Sequence, residues 1–480
     1  MGSKVSISEW DNNNKSLEFL QVRYTDVLGR FLARYLSMPA DIEGFFKHGI
    51  GLDGSSVRGF AYIDDSDLLL LPDRSTAKTV PLLSKQRMIG AVIANVYKGF
   101  GQGRLDTDPR YTTQRMQKYL AGKDMLCQLG PEVECFVLDD IKFASNNDCK
   151  QETVAIISCE HESYGGKYPI MSKQGYDCPP FQDSLVEFRL HVAEILKRYY
   201  SIKVTNLNHE VASGGQIEIN FNHGGLIESA DNVQIFKDVV RNEAKAQGKI
   251  ATFMPKPFFD ENDSSGHIDN GSGMHVNVSI WQSDGKKNLF YDPDDKYAEV
   301  SQTGRYFIGG ILEHSSSLSA IVAPTINSYH RLIPGFEAPV YLAWSRSNRS
   351  AVVRVPAVEK NSAKSKRIEF RAPDPSANPY LAFPAIVAAG IDGISKKIEP
   401  GDPVNENIYK LSESKKRAFG IRPLPSNLQE ALAALKNDHM YLQSCFATEL
   451  LQSYLALKEH EIKEGNRKGR SWQIRRYYDV

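Results

Sequence analysis

The 480-residue chain has no apolar run near the length of about 20 residues that a membrane-spanning helix requires, so no membrane partner is expected. Its first ten residues, MGSKVSISEW, lack the apolar core of a secretory signal. Gly2 and Ser6 fit the loose myristoylation pattern, but one acyl chain anchors only weakly. Net charge is also missing: 58 Lys and Arg balance 58 Asp and Glu, which argues against a dedicated nucleic-acid or membrane-surface binder. Only six cysteines are present, none in a C-x-x-C pair, as in a reduced, cytoplasmic protein. Cys149, Cys159, His161 and Cys178 offer zinc-ligand chemistry, against the simpler reading of unpaired thiols. There is no Walker A motif and no internal repeat.

What remains is an ordinary globular balance, 41% hydrophobic and 24% charged, in a chain long enough for more than one domain. Strand patterns dominate from about residue 17 to 96, including Phe19 to Tyr24 and Met88 to Val96. Gly99, Gly101 and Gly103 punctuate the chain; without a β-α context they read as a linker rather than a phosphate loop. Asp106-Thr107-Asp108-Pro109 then reads as a helix start. The boundary is placed there, giving domains 1–105 and 106–480. Helices are expected over 183–199, 231–249, 302–321, 379–394 and 428–464, and 143–177 reads as polar and irregular. Residues 260–273 and 327–339 read as long, function-bearing loops.

Four segments carry chemistry. In Gly130-Pro131-Glu132-Val133-Glu134-Cys135, the strand period puts Glu132 and Glu134 on one face. Adjacent carboxylates in a low dielectric repel, and a hard cation such as Mg²⁺ or Mn²⁺ neutralises them; an exposed acidic strand is the alternative. In His209-Glu210-Val211-Ala212-Ser213-Gly214-Gly215-Gln216-Ile217-Glu218, the glycines suggest a turn bringing Glu210 and Glu218 together. In Asn270-Gly271-Ser272-Gly273-Met274-His275-Val276-Asn277, a glycine loop enters a strand with His275 and Asn277 on one side. In Arg367-Ile368-Glu369-Phe370-Arg371 the three charged residues share a side. Five carboxylates and a histidine suit an oxygen-rich, multi-metal site. Arg331, Arg349, Arg354, Arg367 and Arg371, with Lys364, add the cations that phosphoryl transfer needs. Structural ion pairs are the competing explanation.

These motifs, in this order, resemble glutamine synthetase of the bacterial and archaeal long-chain type (type I). Leu52-Asp53-Gly54-Ser55-Ser56, Thr252-Phe253-Met254-Pro255-Lys256-Pro257, Asn327 through Pro339, Ser347-Asn348-Arg349-Ser350 and Arg371 through Tyr380 extend the match along nearly the whole chain. The resemblance implies an α+β protein. It would have a small N-terminal β-grasp-like domain and a larger catalytic domain with a curved antiparallel sheet flanked by helices. It further implies a homododecamer of two stacked hexameric rings, with active sites between subunits. The implied reaction is ATP-dependent ligation of ammonium to glutamate through γ-glutamyl phosphate, with two or more Mg²⁺ or Mn²⁺ ions.

Glu134, Glu210 and Glu218 match the ligands of the metal nearer glutamate, and Glu132, His275 and Glu369 those of the metal nearer the ATP phosphates. Arg331 and Arg371, with Asn270 and Gly271, match the glutamate pocket; Arg349 and Arg354 match phosphate contacts; Lys364, Arg367 and Asn277 match the nucleotide side. Asp53 matches the proton acceptor, Glu337 the flap carboxylate, and Tyr176 and Ser56 line the same region. Two positions depart from the pattern: Asn277 stands where a second histidine is frequent, and Thr205 where many members carry glutamate. Tyr409 aligns with a tyrosine that some relatives adenylylate, and reads here as a structural surface residue. The rivals are a ligase for a larger amine, a non-catalytic member of the fold and a generic metal-binding protein. The presence of all six ligands and of Asp53, Tyr176 and Glu337 favours the ammonia ligase.

Overall fold

In the computed structural model, residues 17–82, 87–146, 151–161, 166–259, 269–465 and 468–480 are described. The N-terminal strands are β1 (Phe19–Thr25), β2 (Phe31–Ser37), β3 (Ile50–Asp53), β4 (Asp67–Pro72), β5 (Lys78–Leu82) and β6 (Arg87–Tyr97). They form one sheet in the order β2-β1-β6-β4-β3, with β5 also on β6. β1 runs parallel to β6 and the other pairs are antiparallel. Leu20, Val22, Leu70, Val80 and Val96 are buried along it, the inward half of the alternation seen in the sequence. The glycines after β6 make a tight turn, not an extended linker: Lys98 N–H donates to Gly103 O at 3.0 Å and Tyr97 bridges Arg104. All three have positive φ, which glycine adopts without strain. The following helix, Pro109–Ala121, starts as its residues require, with Asp108 accepting from Arg110 N–H.

The second sheet is built from β7 (Met125–Leu138), β10 (Val204–His209), β11 (Gln216–Phe221), β12 (Gly224–Gly225), β13 (Ile250–Thr252), β14 (Met274–Gln282), β16 (Trp344–Arg346), β17 (Val353–Val355) and β18 (Ile368–Phe370). Its order is β10-β11-β7-β14-β18-β17-β16, with β12 and β13 also on β7. All pairs are antiparallel except β16 with β17. Separate from it are a hairpin of β8 (Asp140–Asn146) with β9 (Gln151–Ile157), and a short pair of β15 (Tyr341–Leu342) with β19 (Arg422–Pro423).

A gap in this sheet positions the site. β12 pairs with Gln128 and Leu129, and β11 with Glu134 to Phe136, so residues 130–133 of β7 have no strand partner on that side. Glu134 N–H donates to Gly273 O and Val137 N–H to Gly215 O. Odd-numbered amides of β7 therefore face the β11 side, and Pro131, which has no N–H to offer, sits where none is needed.

Helices Val186–Tyr200, Leu226–Ala246, Gln302–Val322 and Pro379–Lys396 are close to expectation. Two expectations are corrected. Residues 428–464 are not one helix but Leu428–Asn437, a 3₁₀ segment Met440–Ser444, and Thr448–Gly465. Asp438 is drawn onto His314 at 2.8 Å and Ser317 at 3.1 Å, and Tyr441 stacks on His314, so tertiary contacts override the helical pattern. The stretch 143–177 is not wholly irregular, since it holds β9 and the end of β8. Phe143, Val154 and Ile156 pack under Ile474 and Tyr477 of the helix Arg470–Tyr477. The N-terminal pattern at Gly2 and Ser6, Cys149, and residues 260–268 lie outside the described residues.

One buried cation ties the N-terminal sheet to helix Leu226–Ala246. Arg110 donates to Asp231 (3.0 and 2.9 Å), Asp73 (2.9 Å) and Asn95 (2.7 Å). We expect Arg110→Ala to leave Asp231 and Asp73 without their shared cation, held only by the Tyr380 and Ser75 hydrogen bonds, and to cost about 3 kcal/mol, the low end for breaking a buried ion pair by removing one partner. Thermal unfolding checks this: a clear drop in midpoint is expected, and an unchanged midpoint would show that the network carries no stability.

Candidate active site

Register places the acidic side chains side by side. His275 lies opposite Glu132, Glu218 opposite Glu134 and Asn208 opposite Glu218. Glu369 lies opposite Asn277 and Arg354 opposite Glu369. All the carboxylates named as ligands, with His275, line one cavity of about 1180 Å³.

Within it Glu132, His275 and Glu369 offer ligand atoms within 4.8 Å of one another. His275 Nδ1 is 3.5 Å from Glu132 and 3.9 Å from Glu369. Burial, reinforced by Arg371, holds the imidazole well below its ordinary pKa, leaving it neutral as a metal ligand must be. Glu134, Glu210 and Glu218 form a more open trio. Burial first, then Glu218, raises the Glu134 pKa; burial, then Glu134 and Glu218, raises that of Glu210; burial, then Glu132, raises that of Glu218. Carboxylates forced to share protons in this way are a donor set that a divalent cation fits.

Supporting groups orient these ligands. Glu134 Oε2 accepts from Gln216 Nε2 at 2.9 Å and Gly273 N–H at 2.8 Å. Asn277 Nδ2 donates to Glu132 at 2.8 Å, and its Oδ1 accepts from Arg367 Nε at 2.9 Å. Asn208 and Asn220 hydrogen-bond Glu218. Buried His209, paired with Glu160 at 3.0 Å, lies 2.7 Å from the Glu210 carbonyl. Asn208 and Asn220 were not picked out from the sequence, although Asn206 and Asn208 alternate with Leu207 as one polar strand face requires.

The cations are distributed unevenly. Arg371 donates to Glu369 at 2.7 Å and Arg354 Nε also bonds it. Arg331 donates to the carbonyls of Arg371, Ala372 and Pro373, so its terminal nitrogens brace the pocket wall. Arg349 lies exposed on the cavity lining, as does Tyr176. A neighbouring cavity of about 350 Å³ is lined by Thr205, Asn277, Lys364 and Arg367, and shares Glu132 and Asn220 with the first. The two meet at the gap beside Pro131.

Three sequence-derived positions need comment. Asp53 and Ser56 are exposed on the N-terminal sheet and line neither cavity of their own chain. Ser56 Oγ donates to Asp53 at 2.6 Å and Ser55 Oγ at 2.7 Å, holding its carboxyl below the ordinary range. Tyr409 is half-buried rather than on the surface, and its hydroxyl donates to Ala338 O at 2.7 Å. The zinc reading finds no support among the described residues: His161 stacks on Phe258 and Cys159 meets Ser184.

A carboxylate-rich cluster with the donor set of a divalent-cation site, facing arginines across two cavities that share Glu132 and Asn220, fits a metal-dependent enzyme of phosphoryl transfer. Residues 106–477 match the family described as "Glutamine synthetase, catalytic domain", and residues 16–99 "Glutamine synthetase, beta-Grasp domain". A glutamine synthetase of Sulfolobus acidocaldarius is 46% identical over 464 residues, covering 94% of this chain and 95% of its own. One of Archaeoglobus fulgidus is 39% identical, covering 95% and 94%. The cryo-EM structure of Plasmodium falciparum glutamine synthetase superimposes with a TM-score of 0.84 at 25% identity, covering 98% of both chains. The chain belongs to the glutamine synthetase family, whose fold it shares and whose reaction, ATP-dependent formation of glutamine from glutamate and ammonia, it carries out.

The raised carboxylates make a pH prediction. Protons bind the folded metal-free protein more tightly than the unfolded chain, so the stability they lend is present at low pH and lost as pH rises through the folded pKa values. A divalent cation replaces those protons. Mg²⁺ or Mn²⁺ should therefore raise the unfolding temperature more at pH 8 than at pH 6, and Glu134→Gln should shrink the difference. An equal rise at both pH values would count against a carboxylate metal site.

Proposed function

We propose that this chain is a type I glutamine synthetase, with domains 1–105 and 106–480, working in the cytoplasm as a homododecamer of two stacked hexameric rings. The observation that carries the site assignment is the convergence of Glu132, His275 and Glu369 within 4.8 Å in the cavity that also holds Arg331, Arg349, Arg354 and Arg371. Glu134, Glu210 and Glu218 would hold one divalent ion and Glu132, His275 and Glu369 another, Mg²⁺ or Mn²⁺. When bound, these ions supply neutralisation of phosphate and carboxylate charge.

The glutamate pocket is supported by two buried atoms without partners, Arg371 Nε and Asn270 Oδ1. One is a donor suited to a carboxylate and the other an acceptor suited to an α-ammonium group. Arg331 and Gly271 complete the wall. Lys364, Arg367 and Asn277 bind the nucleotide from the second cavity. Thr205, also on that wall, replaces a charged contact with a neutral one.

A carboxylate oxygen is a poor leaving group. In the first step the γ-carboxylate of glutamate attacks the γ-phosphorus of ATP; the new O–P bond forms as the bond to ADP breaks. Arg349 and Arg354 balance the charge spread over the phosphoryl oxygens. Ammonia then attacks the acyl carbon, phosphate leaves with the electron pair of the C–O bond, and the surplus proton on the amide nitrogen passes to the departing phosphate. Asp53 of a neighbouring subunit accepts the ammonium proton. Its two serine hydrogen bonds keep it ionised, and its exposure away from its own chain's cavity is what a shared site requires. Ser56 acts through Asp53, and Tyr176 lines the ammonium entry. Glu337, on the flap, closes the pocket against water.

The test is phosphate release from ATP with Mg²⁺ and glutamate, comparing ammonium, methylamine and a polyamine, with the product identified by mass spectrometry. Glutamine from ammonium is expected; turnover only with a larger amine would reassign the pocket. Glu337→Ala should lower glutamine formation about a hundredfold with ATP binding intact, and equal loss of both would remove it from the flap role. Mixed oligomers of Asp53→Ala and Arg371→Ala subunits should recover part of the activity that either alone lacks. No recovery in verified hetero-oligomers would contradict a site shared between chains.

A further inference from the structure

The flap residue Glu337 has φ +55°, a backbone conformation that persists in a bulky residue only when its surroundings hold it there. Its two chain neighbours are both fastened. On one side, Phe336 meets two ammonium groups: Lys256 Nζ is 3.8 Å and Lys173 Nζ 3.9 Å from the ring centroid. Lys173 Nζ also donates to Gly335 O at 3.1 Å. On the other, Tyr409 donates to Ala338 O at 2.7 Å.

Lys256 is the unusual member. It is wholly buried and its ammonium has no hydrogen-bond partner, a costly state unless something replaces water. The face of an aromatic ring does so. Burial brings its pKa down to about 7, with Asp269 favouring the charge and Lys173 and Arg331 opposing it; the neighbouring His330 feels that charge in turn. The Lys256 backbone is fixed to the start of the flap segment, since Asn327 Oδ1 accepts its N–H at 2.7 Å and Asn327 Nδ2 donates to its carbonyl at 2.9 Å. A lysine so tied, with its charge spent on the aromatic ring next to Glu337, has the geometry of a latch.

We propose that Lys256, Lys173 and Tyr409 are positioning residues that clamp the flap on both sides of Glu337, and that this clamp sets how the acyl phosphate divides between ammonia and water. The proposal rests on the reading of Glu337 as the closing carboxylate. When the flap is loose, water attacks the acyl carbon in place of ammonia. The C–O bond to phosphate breaks, glutamate is regenerated, and ATP is spent without product.

The experiment uses the assembled, metal-loaded full-length enzyme and measures glutamine formed per phosphate released. Hydrogen exchange of the peptide spanning 333–340 is followed alongside. Lys256→Met and Phe336→Leu should lower the ratio by about thirtyfold, the scale of a desolvated cation–ring contact, and speed exchange of the peptide. Lys256→Arg should keep both near wild type, and Tyr409→Phe should speed exchange around Ala338. Unchanged exchange in Lys256→Met would overturn the clamp. Faster exchange in Lys256→Met, with full coupling retained in Glu337→Ala, would uphold the clamp as a mechanical fastening but overturn its control of partition, together with the role given to Glu337. A protein that merely lost stability would fail to be rescued by Lys256→Arg, and that too would overturn it.

Discussion

The constraint on which this structure turns is the repulsion among carboxylates that share one face of one sheet. Strand period aligns Glu132 with Glu134, and antiparallel register adds Glu218 and Glu369 from the neighbouring strands. Left alone, such a row would hold protons or drive the strands apart. Six carboxylates and six cationic side chains line the main cavity. That balance leaves no positive charge in reserve for the phosphates of ATP. On the proposed assignment, divalent ions held by the carboxylates would supply that surplus, which the arginines alone do not. The arginines bonded to Glu369 then have a dual character: they stabilise a buried anion until a stronger cation claims it.

Much of this arrangement was legible in the residues. Two glutamates two apart, a histidine behind a glycine loop and a charged triplet in Arg367 to Arg371 each named a face, and the structure brings those faces together. Helices with a strong apolar period and a good cap, such as Pro109–Ala121 and Pro379–Lys396, form where they were expected. The misses share a cause. The run from Leu428 has helical periodicity throughout, but Asp438 and Tyr441 have better partners on His314 than the helix could offer. The β8–β9 hairpin looks polar because only a few of its side chains, Phe143, Val154 and Ile156 among them, reach a core completed over 300 residues later by Ile474 and Tyr477. No local signal carries that information. The fastening of Phe336 by Lys256 is equally silent, since a lysine in a proline-rich motif looks solvated until burial is known.

The gap in the sheet links fold to chemistry. A proline in a central strand normally argues against that strand. Here Pro131 sits where β11 has parted from β7 and β12 has not yet joined, so the missing N–H costs nothing. The same opening lets the two cavities share Glu132 and Asn220. On the proposed assignment, glutamate and nucleotide would approach the same carboxylate from the two cavities without either crossing the sheet. A continuous ladder would have sealed that passage, and a wider break would have lost the register that keeps Glu132 beside His275.

In the reaction proposed above, Asp53 would complete the logic from the other direction. A base that must take a proton from ammonium need not be strong, because ammonium gives up its proton once its product, ammonia, is consumed. It must stay charged, so that ammonium rather than water is held beside the acyl phosphate. Two serine hydroxyls at 2.6 and 2.7 Å keep it charged without burial, and exposure lets it be offered to a site that its own chain does not complete. Buried within its own cavity, the same carboxylate would join the repelling row and take up the proton it is meant to remove. In the proposed shared site, its place on the N-terminal sheet would keep its charge apart from the metal ligands. On that proposal the N-terminal sheet is part of the electrostatic design of a neighbouring active site and more than a scaffold beside its own.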